Sequence, residues 1–285
     1  MIDLEKNKSF CPYVFKAALL PGYDTKSSVS AVPCCRFESN AHPEHEQDII
    51  EKQTSMHNYD ESYFKLIREK MVKGQKVAGC WKCYKEETNR GTSMRTQAIN
   101  SFSQGSSFYP KWQRSFGPMG SINEIVKPEL TYLEIESGRF CNLKCRSCSP
   151  NLSTSWDEDL VNEDVLTNFF GPEGHGTAEE IKKARKQNED LVELTYEQCK
   201  NLNGIKITGG EPFLTDTVTI FLSRLVEWGL AENIELEVFT NCSFFPKEKY
   251  REILPKFRLV TVRLSLDAVK EKADFLRKKS NWNVV

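Results

Sequence analysis

Three cysteines, Cys141, Cys145 and Cys148, fall within eight residues of RFCNLKCRSCSPN, spaced C-x3-C-x2-C. A disulfide joins two thiols and a closed zinc site takes four ligands, so an uneven trio asks for another chemistry. Three thiolates on one loop can hold three irons of a four-iron cluster and leave the fourth open to a ligand. A zinc site borrowing a fourth ligand, or three unrelated thiols, are the plainer alternatives. With 10 cysteines in 285 residues, the spacing arises by chance in roughly one chain in eighty.

A second candidate is ITGGEPFL, Ile207 to Leu214. Gly209 and Gly210 let backbone come close to a ligand, Glu211 adds a carboxylate, and Pro212 stiffens the turn. An ordinary strand-to-helix turn would look the same. Thr240-Asn241 and Ser265-x-Asp267 are further polar pairs, which could equally be strand-end caps. Towards the N-terminus stand Cys11, the adjacent Cys34 and Cys35, and Cys80 and Cys83 in GCWKCYKEE. Cys199 and Cys242 have no partner spacing and read as small buried hydrophobes. His42, His45 and His57 lie in a polar stretch and read as solvated surface.

The elements that must position these residues are legible from alternation. YLEIE (132–136), GIKIT (204–208), IELEVFT (234–240) and LVTVRLSLD (259–267) each put apolar residues on one face and read as strands. The last places Val260, Val262, Leu264 and Leu266 together. Helical patterns lie between them. One covers Ala178 to Leu194, its charge run from Glu179 to Glu193 forming a solvated face. A second covers Thr217 to Trp228 with Asp216 as N-cap and Gly229 as stop, and a third runs from about Lys247 to Leu254. Strands separated by helices predict parallel pairing, in an α/β barrel or an open parallel sheet. The carboxyl ends of parallel strands share one rim, so the four chemical motifs should converge there. A helix near Asp60 to Met71 precedes a Ser/Gly/Gln-rich stretch, Gly91 to Gly120, that reads as a linker. No internal repeat is visible.

Composition narrows the class. The 39 basic and 40 acidic residues nearly cancel, which gives no electrostatic case for nucleic acid or an anionic membrane. No apolar run reaches the length of a membrane span, and MIDLEKNKSF is not a signal peptide. The expected location is cytoplasmic, where cysteines serve as metal ligands or reactive thiols rather than in disulfides.

CNLKCRSC and GGEP, each after a strand and in this order, resemble the radical S-adenosylmethionine (AdoMet, SAM) superfamily over about Leu130 to Val285. The resemblance implies that Cys141, Cys145 and Cys148 ligate a 4Fe-4S cluster whose fourth iron takes the amino and carboxylate groups of AdoMet. Gly209, Gly210, Glu211 and Pro212 would form the turn that holds the AdoMet amino group. Thr240, Asn241, Ser265 and Asp267 match positions near its carboxylate and ribose. The implied reaction is one-electron cleavage of the sulfonium to methionine and a 5′-deoxyadenosyl radical, which takes hydrogen from a peptide or small-molecule substrate. A low-potential donor of the flavodoxin or ferredoxin type is implied. Ser147 departs from the family, which often has an aromatic residue there near the adenine. The family core has six βα units, and four strands are counted here, so the expectation is a partial TIM-like barrel, C-terminally incomplete, over residues 121–285. Asn283 to Val285 could begin a fifth strand.

FCPYVF, VPCC and GCWKCYKEETNRGTSMR resemble the SPASM/twitch auxiliary-cluster module, here ahead of the barrel, over residues 1–120. The resemblance gives Cys11, Cys34, Cys80 and Cys83, with Cys35 competing for Cys34, as ligands of one auxiliary 4Fe-4S cluster. A structural zinc on the same four thiols is the alternative. The rival functions are a non-catalytic zinc- or cluster-binding module and an inactive fragment of such an enzyme.

Overall fold

The computed structural model describes residues 7–22, 31–38, 41, 59, 62–104, 126–160, 177–183, 188–244 and 248–283. His42, His45 and His57 lie outside them. The four expected strands all form, as β2 (Tyr132–Glu136), β4 (Gly204–Thr208), β5 (Glu235–Thr240) and β6 (Leu259–Leu264). The alternation that predicts them is the alternation that buries Leu133, Ile135, Ile205, Ile207, Leu236 and Val238. A fifth strand, β1 (Ala17–Leu20), joins the same sheet, whose order is β1-β2-β4-β5-β6. Its sequence, AALL, is buried at every residue and has no alternation to reveal it. β5 and β6 run parallel, with Val238 opposite Val262 and Thr240 opposite Leu264.

By internal contacts the chain divides into two compact units. The first is Met1–Leu20, Ser27–Glu134 and Leu194–Ile205; the second is Pro21–Lys26, Ile135–Glu193 and Lys206–Val285.

In the first unit, α1 (Tyr13–Lys16) leads into β1, and α2 (Ser62–Val72) buries Tyr63, Phe64, Ile67 and Met71. α3 (Trp81–Arg90) has Cys80 as its N-cap and ends at Gly91, whose φ of 71° is the left-handed cap glycine favours. α4 (Met94–Gln104) falls where the Ser/Gly/Gln content predicts a linker. Its ordering has a tertiary cause: Arg95 is buried and donates Nη1 to the Phe10 carbonyl at 2.9 Å, while its Nε reaches Glu87 Oε1 at 2.9 Å. Residues 105–120 of that stretch lie outside the described residues.

In the second unit the long helix expected over Ala178 to Leu194 is instead two short ones among the described residues, α5 (Ala178–Lys183) and α6 (Asp190–Glu193). Asn188 between them is fully buried and ties its backbone N–H to the Ser137 carbonyl at 3.1 Å and its Nδ2 to the Glu136 carbonyl at 2.9 Å. That tertiary use of an asparagine overrides the local helical pattern. α7 (Tyr196–Cys199) follows, in the first unit, opened by a Thr195/Gln198 capping box.

α8 (Asp216–Glu227) matches the second predicted helix, but its N-cap is Thr215, with Asp216 already helical. Gly229, at φ 70°, ends it as expected. α9 (Glu248–Ile253) fills the third position. The strand expected to run to Asp267 stops at Leu264, and its apolar residues are not covered: Val262, Leu264 and Leu266 are 42%, 60% and 47% exposed. β6 is an edge of the sheet. After it come α10 (Glu271–Leu276) and β7 (Arg277–Lys278), which pairs antiparallel with β3 (Lys144–Cys145) in a separate two-stranded sheet. Asn283, read as the possible start of a further strand, lies in a turn, and 284–285 are outside the described residues.

Candidate cofactor and metal sites

The loop after β2 carries the cysteine trio. Cys141 and Cys145 share a buried cluster with Leu143, and Cys148 packs against it. Burial pushes all three thiols up, Cys145 to about 11 and Cys148 to about 12. Behind burial, Cys148 feels Cys145 and Cys141, while Cys145 feels first the Arg277 charge, which lowers it, and then Cys141, which raises it. Thiols so placed stay protonated unless a cation enters among them, because ionising any one costs desolvation and repulsion from the others.

Two buried cations anchor the loop. Arg139 is wholly buried; its Nη2 donates to the Pro150 carbonyl at 3.0 Å and pairs with Asp157. Lys144 is also buried and pairs with Asp159. Together they draw the segment 150–159 back onto the loop. Neither was predicted from the sequence. The available signal is charge complementarity between RFCNLK and WDED, but pairing across 15 to 18 residues leaves no periodicity to read.

The glycine turn is fastened to the same loop. The Gly210 N–H donates to the Gly138 carbonyl and the Glu211 N–H to the Phe140 carbonyl, both at 2.8 Å. A Cβ on Gly210 would lie 2.3 Å from the Phe140 oxygen, and one on Gly209 2.6 Å from Ser137 Oγ. Gly209 also has φ +121°. The close approach these glycines permit is therefore to the backbone leading into the cysteines. Pro212 opens a short 3-10 helix, Pro212–Leu214.

Glu211 is completely buried, and its carboxylate is engaged within the protein. Oε1 accepts from Thr240 Oγ1 at 2.9 Å and from the Phe213 N–H at 3.3 Å, and Oε2 from the Asn241 N–H at 2.7 Å. Burial nevertheless pushes its carboxyl up. Thr240 and Asn241 are thus held to the glycine turn by one side chain. Asn241 in turn reaches the trio: its Nδ2 donates to Cys141 Sγ at 3.6 Å and to Asn142 Oδ1 at 3.0 Å.

Ser265 extends the β5–β6 ladder by one bond, its N–H donating to the Thr240 carbonyl at 2.9 Å. Asp267 pairs with Arg277, Oδ2 to Nε 2.9 Å, at ion-pair distance but without hydrogen-bond alignment. Arg277 is registered opposite Cys145 in the β3–β7 pair. The cysteine trio, the glycine turn and the strand-end pairs are thus brought together within the second unit.

Gathering is not yet coordination. Among the described residues no three His, Cys, Asp or Glu side chains stand ready-made to hold a metal ion. The donor set nonetheless suits an iron–sulfur cluster: three soft thiols on one loop, with N–H groups of Leu143 (3.5 Å) and Asn241 directed at the Cys141 sulfur.

The N-terminal cysteines form a second group, inside the first unit. Cys11, Cys34, Cys80 and Cys83 line one cavity with Arg36 and Arg95. Cys35 is exposed. Cys80 caps α3 and Cys83 is in its first turn, so the helix N-terminus faces the thiols. The Glu38 N–H bonds the Gly79 carbonyl at 2.9 Å, which brings the segment 34–38 to the α3 end. Burial pushes Cys11 up to about 12, and Cys34 and Cys80 well above the ordinary range. Cys199 is buried as expected, and Cys242 is half-buried with φ 64°.

The family model described as "Radical SAM superfamily" matches residues 135–285. Among curated proteins, the chain is 26% identical over 152 residues to a GTP 3′,8-cyclase of Campylobacter curvus, covering 52% of this chain and 38% of that protein. It is 25% identical over 143 residues to a GTP 3′,8-cyclase of Nautilia profundicola, covering 50% and 36%. The chain thus spans less than two fifths of the length of these relatives. Among solved structures, Streptococcus suis SuiB bound to S-adenosylmethionine is 16% identical with a TM-score of 0.30, over 72% of this chain and 41% of that one. No helix among the described residues is long and apolar enough to cross a membrane.

Proposed function

Because this chain belongs to the radical SAM superfamily, we propose that it cleaves S-adenosylmethionine reductively and abstracts hydrogen from a peptide or small-molecule substrate. The observation that carries this reading is the fastening of the Gly209–Glu211 turn to residues 138–140, directly ahead of three mutually close thiols. A 4Fe-4S cluster with AdoMet would supply the chemistry: one electron breaks a carbon–sulfur bond, giving methionine and a 5′-deoxyadenosyl radical.

The chain's own residues do the rest. Cys141, Cys145 and Cys148 would hold the cluster and leave one iron for AdoMet. Gly209 and Gly210 set the height of the turn above the loop, and Pro212 fixes its exit. Glu211 acts first as a tie: with its carboxylate held by Thr240, Asn241 and Phe213, it fixes the rim on which AdoMet would rest. Ser265 and Asp267 would complete that rim. The buried part of the loop, Cys141 and Leu143 to Cys145, would limit the access of water to the cluster from that side. The electron comes from an external low-potential donor. Substrate choice is not carried across from the GTP cyclases by a match to under two fifths of their length.

In the same proposal, residues 1–120 are an auxiliary-cluster module resembling SPASM/twitch. Four thiols line one cavity, and three of them, Cys11, Cys34 and Cys80, are pushed up by burial and need a cation to ionise. A 4Fe-4S cluster is the first assignment and a structural zinc the second.

The test is anaerobic reconstitution with iron and sulfide, followed by assay for 5′-deoxyadenosine with a strong reductant. Product that disappears in Cys145→Ala is expected. A fully loaded cluster that yields none sinks the enzyme reading, and zinc without iron in protein purified without oxygen favours the binding-module rival.

A further inference from the structure

Asn241 stands where the sequence suggests contact with AdoMet, yet its side chain is committed elsewhere. It is 8% exposed and directly follows β5. Its Oδ1 accepts the Ser243 N–H at 2.9 Å and Ser243 Oγ at 2.6 Å. A backbone N–H can only donate, so the atom facing it must be the amide oxygen. That fixes the other end of the amide as the NH2 group, and it points at Cys141 Sγ, 3.6 Å away, and at Asn142 Oδ1. Asn142 returns a bond from its Nδ2 to Ser243 Oγ at 2.7 Å, so the ring of bonds closes and the amide cannot turn over without breaking it. Below, the Asn241 backbone is held by Glu211 Oε2.

We infer that Asn241 is a positioning residue of the cluster loop that raises the cluster's reduction potential by donating a side-chain N–H to the Cys141 sulfur. The inference rests on the proposed cluster on Cys141, Cys145 and Cys148. A donor to a ligand sulfur withdraws electron density and favours the reduced state. Because the donor is oriented by the chain leaving β5, the strand end that would meet AdoMet also governs how readily the cluster accepts its electron.

The experiment uses the reconstituted full chain. Asn241→Asp keeps an acceptor for Ser243 but puts an oxygen where the NH2 faced the sulfur. Iron content and the midpoint of the cluster are measured together, the midpoint by electron paramagnetic resonance at stepped applied potentials. The expected result is wild-type iron content with a more negative midpoint. At the wild-type midpoint the ratio of reduced to oxidised cluster should fall about tenfold, which is about 59 mV for one electron. An unchanged midpoint with full iron overturns the inference. Should the added charge prevent loading, Asn241→Ala decides in the same way. Loss of iron in both variants also counts against tuning, since a donor that is not a ligand should be dispensable for loading. A wild-type chain that takes up no cluster fails at the earlier step, and what falls there is the proposed function.

Discussion

Glu211 Oε2 lies 2.7 Å from the Asn241 nitrogen, so a single buried carboxylate joins the turn after β4 to the end of β5. Three donors converge on that group, and all come from the protein. Glu211→Gln presents an NH2 to one of them. The substitution should cost about 1–3 kcal/mol, the penalty of an unsatisfied buried donor. Urea unfolding of the wild-type and variant chains measures it, and equal midpoints would show that the tie carries no stability.

Gly210 faces the Phe140 carbonyl with no room for a methyl group. The obstructing atom is backbone and cannot swing aside. Gly210→Ala should therefore destabilise by about 1–3 kcal/mol and lower iron uptake on reconstitution. Gly229→Ala is the control, since a Cβ there meets nothing within 4 Å and only the positive φ opposes it. It should cost about 1 kcal/mol and leave iron uptake unchanged.

Cys34 lines the cavity with Cys11, Cys80 and Cys83, whereas Cys35 is exposed. Cys34→Ser should remove metal from the first unit, and Cys35→Ser should leave it at the wild-type level. Metal analysis in a background lacking Cys141, Cys145 and Cys148 isolates that site, and the reverse pattern would overturn the assignment.

Glu87 lies between Arg95 and Ser93. Burial raises its carboxyl, but hydrogen bonds from Arg95 and Ser93 and the Arg95 charge outweigh that and hold it below the usual 4.5. A depressed folded value adds stability that is present above the unfolded value and is lost as pH falls through the folded one. Glu87→Gln should therefore destabilise at pH 7, and the gap from wild type should close below about pH 4.5. Unfolding curves across that range measure it, and a gap constant with pH would rule out the ion pair as its source.

The motifs were legible in the sequence because their chemistry is local. C-x3-C-x2-C, GGEP and the strand patterns of β2, β4, β5 and β6 depend on neighbours within a few residues, and period-two alternation survives any tertiary arrangement. The errors fall where distant residues override local preference. Buried Arg95 orders a helix in a stretch that reads as linker, and Asn188 interrupts one that reads as continuous.

Spacing by itself thus put Cys141, Cys145 and Cys148 on one loop, since near neighbours along the chain stay near in space, while the family resemblance was what paired that loop with the Gly209–Glu211 turn. Only the tertiary structure decided where polar side chains spend their hydrogen bonds: Glu211 on the β5 end, Asn241 on Cys141, Arg139 and Lys144 on the segment beyond the loop. A hydrogen bond is fixed by the position of both partners, and for these pairs the partners lie 15 to 100 residues apart along the chain.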